Sequence, residues 1–86
     1  MALQILNQPD DILEKLKNAI AQAIDGAEIE VSSMSPGHFE ICVVSTAFEG
    51  LSRVKQQQLV YAAITPMMSG DGAPVHAVDR LETLTP

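Results

Sequence analysis

Three side chains in this 86-residue chain could carry chemistry near neutral pH: His38, His76 and the lone Cys42. Imidazole titrates near neutrality and is the commonest metal ligand. His38 opens a segment of alternating polarity that runs to Ser45, and His76 is the second residue of another that runs from Val75 to about Thr83. If those segments are parallel neighbours in a sheet, both beginnings lie at one end, and two imidazoles can offer nitrogens outward from one edge. Two ligands do not close a four-coordinate metal site, so a partner would have to supply the rest. Spacing alone leaves two readings open, this half-site and a pair of ordinary strand-end histidines. Cys42 sits mid-strand between Ile41 and Val43. A lone cysteine can form no intramolecular disulfide and behaves as a small hydrophobe, so it is expected to be buried. No serine is paired by motif with a base, and neither a nucleophile elbow nor a P-loop is present. No catalytic residue is therefore assigned, and the chain is not expected to be an enzyme. Glu40, Asp79 and Glu82 read as solvated strand charges. The run Arg53-Val54-Lys55-Gln56-Gln57-Gln58 gives a polar, mildly basic helix face. It is either simply solvated or a contact for nucleic acid or a protein partner, with Arg53 and Lys55 as the contacts.

The elements that must position these residues follow from periodicity. Asn7-Gln8-Pro9-Asp10-Asp11 reads as a helix start, with Pro tolerated in the first turn and acids at the positive end of the dipole. Ile12, Leu13, Leu16, Ala19, Ile20, Ala23 and Ile24 form an apolar stripe at helical spacing, and Asp25-Gly26 ends it. Ile29 and Val31 alternate with Glu28, Glu30 and Ser32 as a half-buried strand. Ser33 to Gly37 is a turn. His38 to Ser45 is the second strand, with Phe39, Ile41 and Val43 on one face and His38, Glu40, Cys42 and Val44 on the other. Phe48 to Ser52 is a loop ending in an N-cap serine. A second helix spans Arg53 to about Thr65, with Val54, Val60, Ala63, Ile64 and Met67 inward. Pro66 should break or kink it, leaving a short third helical turn at Met67-Met68 that fills the core. Ser69 to Pro74 is a tight linker. In the third strand, Val75, Ala77 and Leu81 share one face and His76, Val78, Arg80 and Glu82 the other. The order is α-β-β-α-α-β. The hairpin is antiparallel, and a helical crossover favours a parallel, right-handed return. The expected fold is a two-layer α+β domain, a three-stranded mixed sheet with helices on one face.

Composition bounds the function. The length allows one domain, spanning 1–86. Eleven acidic against five basic residues leave a net charge of −6, which opposes bulk attraction to phosphate backbones or anionic lipid. With 3% aromatic residues there is no stacking platform for bases. Met1 to Leu6 lacks the basic start and apolar length of a signal peptide, no run approaches the roughly 20 apolar residues of a membrane span, and a free thiol suits a reducing compartment. A cytoplasmic protein with no membrane association is expected.

Several motifs in combination resemble the BolA family: Phe48-Glu49-Gly50-Leu51-Ser52-Arg53-Val54, Gln58-Leu59-Val60-Tyr61, Val75-His76-Ala77-Val78 and Leu84-Thr85-Pro86. Gly37-His38-Phe39 and Ser52 to Gln58 look closest to its IbaG-like branch. The resemblance implies an α-β-β-α-α-β fold similar to the type II KH arrangement, and a small non-enzymatic protein that pairs with a monothiol glutaredoxin. Together the two hold a bridging two-iron, two-sulfur cluster. The glutaredoxin and its glutathione supply thiolates, and the BolA-like chain supplies a third-strand histidine, which maps onto His76, and a second ligand from the loop between strands one and two, where His38 falls. Cys42 lies too far into the strand to match. The family's alternative reputation, DNA-binding transcription regulation, would use Arg53 and Lys55. Gln56-Gln57 stands where many members carry Arg-His. The expected partners are thus a monothiol glutaredoxin with glutathione, then DNA, then a second copy of the chain.

Overall fold

The computed structural model describes residues 9–69 and 73–86. The expectations placed on Met1 to Leu6, Asn7-Gln8 and Gly70-Asp71-Gly72 lie outside the described residues. Helix α1 spans Pro9–Ala23. Its apolar stripe buries Leu16 and Ile20, and Ile24 one residue beyond, against the sheet. Gly26 then takes a φ of +65°, the left-handed conformation that ends helices at glycine.

Strand β1 (Glu28–Ser35) pairs antiparallel with β2 (His38–Val44), and β2 pairs parallel with β3 (Ala77–Leu84), giving a sheet of order β1-β2-β3. Helix α2 spans Arg53–Met68. On β2, Phe39, Ile41 and Val43 are buried, while His38, Glu40, Cys42 and Val44 are half-buried on the opposite face. Helices α1 and α2 both pack on the first of these faces, and Val60 and Ile64 of α2 complete the core with Phe48 and Val75. The layered α+β class and the mixed sheet are as the sequence predicts.

Several details differ from the sequence expectation. β1 runs on to Ser35, so the turn is Pro36-Gly37 and does not open at Ser33. Pro66 does not break α2, which runs through it to Met68. Ala62 and Pro66 are both exposed, so the carbonyl freed by the missing N–H sits on the water side. Thr65 Oγ1 donates to the Tyr61 carbonyl (2.6 Å) and Ser69 Oγ to the Thr65 carbonyl (2.8 Å). The Met67-Met68 turn is therefore the end of α2 and not a separate helix, though both methionines do pack on the core. Val54 is 62% exposed, because Gln56 holds the inward position of the first turn, and two residues along a helix is a rotation of about 200°. Between β2 and α2, a 3-10 turn at Thr46–Phe48 precedes the expected loop and takes in its first residue, Phe48, which is completely buried. Ser45 caps it, accepting from the Ala47 N–H (3.0 Å) and donating to the Asp25 carbonyl (2.9 Å).

A further difference concerns β3, which begins at Ala77 and not at Val75, so that His76 lies just before the strand and Ala77, opposite His38, lies on the open face. Phe39 pairs with Val78 but Glu40 pairs with Arg80, so Asp79 is an extra residue, a bulge. Val78 and Leu81 both pack on the core although they stand three positions apart, an odd offset that no regular strand allows for one face. The bulge reconciles them and keeps Arg80 and Glu82 exposed. Val78 therefore lies on the core side and not with Arg80 and Glu82. A second register shift lies between Ser33 and Ser35 of β1. Both irregularities flank the same end of β2, the end that begins at His38.

Candidate functional site at the bulged end of the sheet

The turn between β1 and β2 is Pro36-Gly37, and Gly37 has a φ of +79°, the value that the third position of a type II turn requires of glycine. Ser33 Oγ pins the turn, its single proton shared between the carbonyls of Ser35 (2.9 Å) and His38 (3.1 Å). The Gly37 carbonyl accepts from two N–H groups, those of His76 (2.8 Å) and Ala77 (3.0 Å). This fork ties the entry of β3 to the hairpin turn. His38 stands opposite Ala77 in the register, so His76 and His38 reach the same rim of the sheet, as the sequence predicts. His76 is exposed; the His38 side chain is 44% exposed.

The approach of His76 to the turn is close. A Cβ on Gly37 would lie 2.9 Å from His76 Cγ and 3.0 Å from its Nδ1, nearer than side-chain contacts tolerate. Gly37 is thus required twice, by its backbone conformation and by the imidazole laid against it. Gly37→Ala should cost about 1–2 kcal/mol for the left-handed conformation alone and push the ring out of place. The expected results are a thermal midpoint lower by several degrees and displaced His76 ring resonances. Unmoved resonances would show that the ring does not rest there.

His38 has a partner that the sequence reading missed. Its Nδ1 lies 3.1 Å from Asp79 Oδ1, so Asp79 is not a merely solvated charge. The usable signal was the spacing of Val78 and Leu81, which demands a bulge between them.

Cys42 lies four residues further along β2 on the open face, half-buried and not in the core as expected. Its register neighbours are Glu30 on β1 and Glu82 on β3. Burial first, and then the charges of Glu82 and Glu30, push its thiol above the ordinary value, opposed by Arg80. The thiolate is the form that attacks and ligates, so this environment disfavours both roles. Alkylation of Cys42 by iodoacetamide should be slower in the folded chain than in urea at pH about 8, and Glu82→Gln should speed it. Equal rates in all three samples would contradict the assignment.

Arg53 and Lys55 are exposed in the first turn of α2, where Ser52 Oγ accepts from the Lys55 N–H (3.2 Å). Gln56, one residue on, is occupied structurally. Its Nε2 donates to the carbonyls of Phe48 (3.1 Å) and Leu51 (3.0 Å), and its Oε1 accepts from Thr83 Oγ1 (2.7 Å). Through Thr83 this end of α2 adjoins the far end of β3. At about 3.3 Å per residue that is roughly 20 Å from the histidine rim, so the structure does not bring the basic pair and the histidines together. Between them the open sheet face presents a depression lined by Glu30, Glu40, Cys42, Glu82, Arg80 and Lys17, with Arg80 3.4 Å from Glu82. Among the described residues, no three His, Cys, Asp or Glu side chains are grouped closely enough to hold a metal ion, and no helix is long and apolar enough to cross a membrane.

These features define a class, an α+β protein with two helices on one face of a three-stranded mixed sheet and two imidazoles at one rim. The family model described as BolA-like protein matches residues 14–86, and the chain belongs to that family. It is 32% identical over 80 residues to BolA-like protein 1 of Bos taurus, an alignment covering 83% of this chain and 56% of the bovine protein, so the chain spans little more than half of that relative's length. It is 31% identical over 72 residues to the acid stress protein IbaG of Escherichia coli K12, covering 84% and 81% of the two chains. Among solved structures, a BolA homologue from Coxiella burnetii superposes with a TM-score of 0.69 at 28% identity, over 85% of this chain and 88% of that one.

Proposed function

We propose that the chain is a non-enzymatic cytoplasmic adaptor that binds a monothiol glutaredoxin and, with the glutaredoxin's thiolates and glutathione, contributes His76 and His38 to a bridging two-iron, two-sulfur cluster, in cluster trafficking or iron sensing. The observation that carries this reading is the Gly37 fork, which sets His76 on the same rim as His38. The residues present fit the cluster in part: both imidazoles reach solvent, and neutral nitrogen ligates iron. Cys42 stands apart from them, four residues and about 13 Å further along the strand. The thiolates that such a cluster needs must therefore come from a second protein. When bound, a mixed imidazole and thiolate cluster supplies a centre of raised potential compared with an all-thiolate one. The chain's own part is to hold two imidazoles at one rim, with the His76 ring seated against Gly37. Ligation requires unprotonated imidazole, so acid should weaken the site.

A DNA-binding regulator acting through Arg53 and Lys55 is the competing reading. The acidic open face and the occupied Gln56 amide both speak against it. The deciding experiment is anaerobic reconstitution of the chain with a monothiol glutaredoxin, glutathione, iron and sulfide, followed by size-exclusion chromatography and visible circular dichroism. A complex whose spectrum differs from that of the glutaredoxin alone is expected. Separate elution with the glutaredoxin's own spectrum would reject the proposal. Steeply salt-dependent DNA binding that Arg53→Ala removes would favour the regulator.

A further inference from the structure

We infer that Asp79 is a positioning residue for His38, fixing its Nδ1–H tautomer so that Nε2 is the nitrogen presented outward. The inference rests on the proposal that His38 is a ligand and names how that ligand is preset.

A neutral imidazole has one N–H and one bare nitrogen, and the hydrogen bond made by one decides the state of the other. A carboxylate is only an acceptor. With Asp79 Oδ1 at 3.1 Å, the neutral ring places its proton on Nδ1, and the bare lone pair is left on Nε2. This is the arrangement found behind metal-bound histidines, where a carboxylate sets the tautomer and ring orientation.

The fold puts Asp79 there by specific means. It is the bulged residue of β3, with no opposite number on β2. The residue that does stand opposite His38 is Ala77, whose methyl group leaves the imidazole room to lean along the strand toward Asp79. The other charged groups near β2 are accounted for along the open face: Arg80 is bonded to Glu82, and Glu40 stands opposite Ser32 and Arg80.

The two histidines are thus held differently. The His76 ring rests on Gly37 and its backbone is forked to that carbonyl; no side-chain hydrogen bond to its ring is found among the described residues. His38 is held through its ring by a carboxylate. His38 therefore carries a preset nitrogen, whereas His76 is placed through its backbone.

The test has two arms. In the isolated chain at a pH where imidazole is neutral, long-range proton–nitrogen correlation spectra of 15N-labelled protein report the tautomer of each ring. His38 should be the Nδ1–H form, and Asp79→Ala should shift it toward Nε2–H, the form usual for a free neutral histidine, leaving His76 unchanged. An Nε2–H His38 in the unsubstituted chain, or a tautomer indifferent to Asp79→Ala, overturns the inference. In the reconstituted complex, Asp79→Ala should weaken cluster retention by about 10–100-fold and change the visible circular dichroism, and Asp79→Glu should restore part of both. Retention equal to that of the unsubstituted chain overturns it. If the unsubstituted chain forms no cluster with the glutaredoxin, the parent reading fails and the ligand role of Nε2 with it. The tautomer arm needs no cluster and still decides whether Asp79 sets His38.

Discussion

His76→Ala should abolish the bridging-cluster spectrum of the reconstituted pair while leaving the chain folded. The loss should exceed the about 10–100-fold that removal of an outer-shell partner costs, because a nitrogen donor itself is gone and, among the described residues, no other side chain at that rim replaces it. Asp79 is committed to His38, and Cys42 lies four residues along the strand. The fold should survive because the His76 side chain is exposed and its structural bond is made by the backbone N–H to Gly37, which alanine retains. Exposed substitutions of this kind usually stay within about 0.5 kcal/mol, so the thermal midpoint should move by no more than a few degrees. Visible circular dichroism and thermal melting on the same samples separate the two effects. An unchanged cluster spectrum would remove His76 from the ligand set. His38→Ala should weaken the cluster less or alter its spectrum. If instead it prevented association with the glutaredoxin in the absence of iron, His38 would be an interface residue.

Phe48→Ala should remove a large share of the chain's stability. Phe48 is fully buried in a core shared by two helices, the sheet and the 3-10 turn. Truncating such a phenylalanine costs about 3–5 kcal/mol. At about 0.05–0.15 kcal/mol per residue, a chain of this length has roughly 4–13 kcal/mol in total, so the variant retains little margin. Each kcal/mol is worth about 4–8 °C in a domain of this size, and the thermal midpoint should fall by about 12 °C or more. The Phe48 carbonyl also accepts from Gln56 Nε2 and the Leu51 N–H (3.1 Å each), so slackening here frees the first turn of α2 as well. Phe48→Leu should recover most of the loss, since a large apolar side chain still fills the site. A drop under about 5 °C for Phe48→Ala would mean that the turn does not anchor the core.

The histidine rim was legible in part. That His38 and His76 share an end of the sheet follows from their places at strand beginnings and from the parallel return that a helical crossover imposes. What holds them there was not legible. The Gly37 carbonyl fork and the ring laid on Gly37 join residues far apart in the chain, and no local pattern reports such an approach. Uninterrupted alternation through β3 puts Asp79 on the face of Ala77 and Leu81, and its charge alone marks it as solvated. The register between two strands decided otherwise.

What the sequence by itself determined is the set of elements with strong periods: the stripe of α1 through Leu16, Ile20 and Ile24, the strict alternation of β2, the Ser52 cap and the glycine ends of α1 and the hairpin. These depend on one element's own spacing and on backbone geometry within a few residues. The tertiary structure alone decided the bulge at Asp79, the burial of Phe48 from what reads as a loop, the passage of α2 through Pro66, and the exposure of Val54 behind Gln56. Each is a compromise between elements, in which burying one apolar group or satisfying one buried carbonyl outweighs a local preference worth about 1–3 kcal/mol. The candidate site lies where two such compromises, the bulges flanking His38, meet at one end of the sheet.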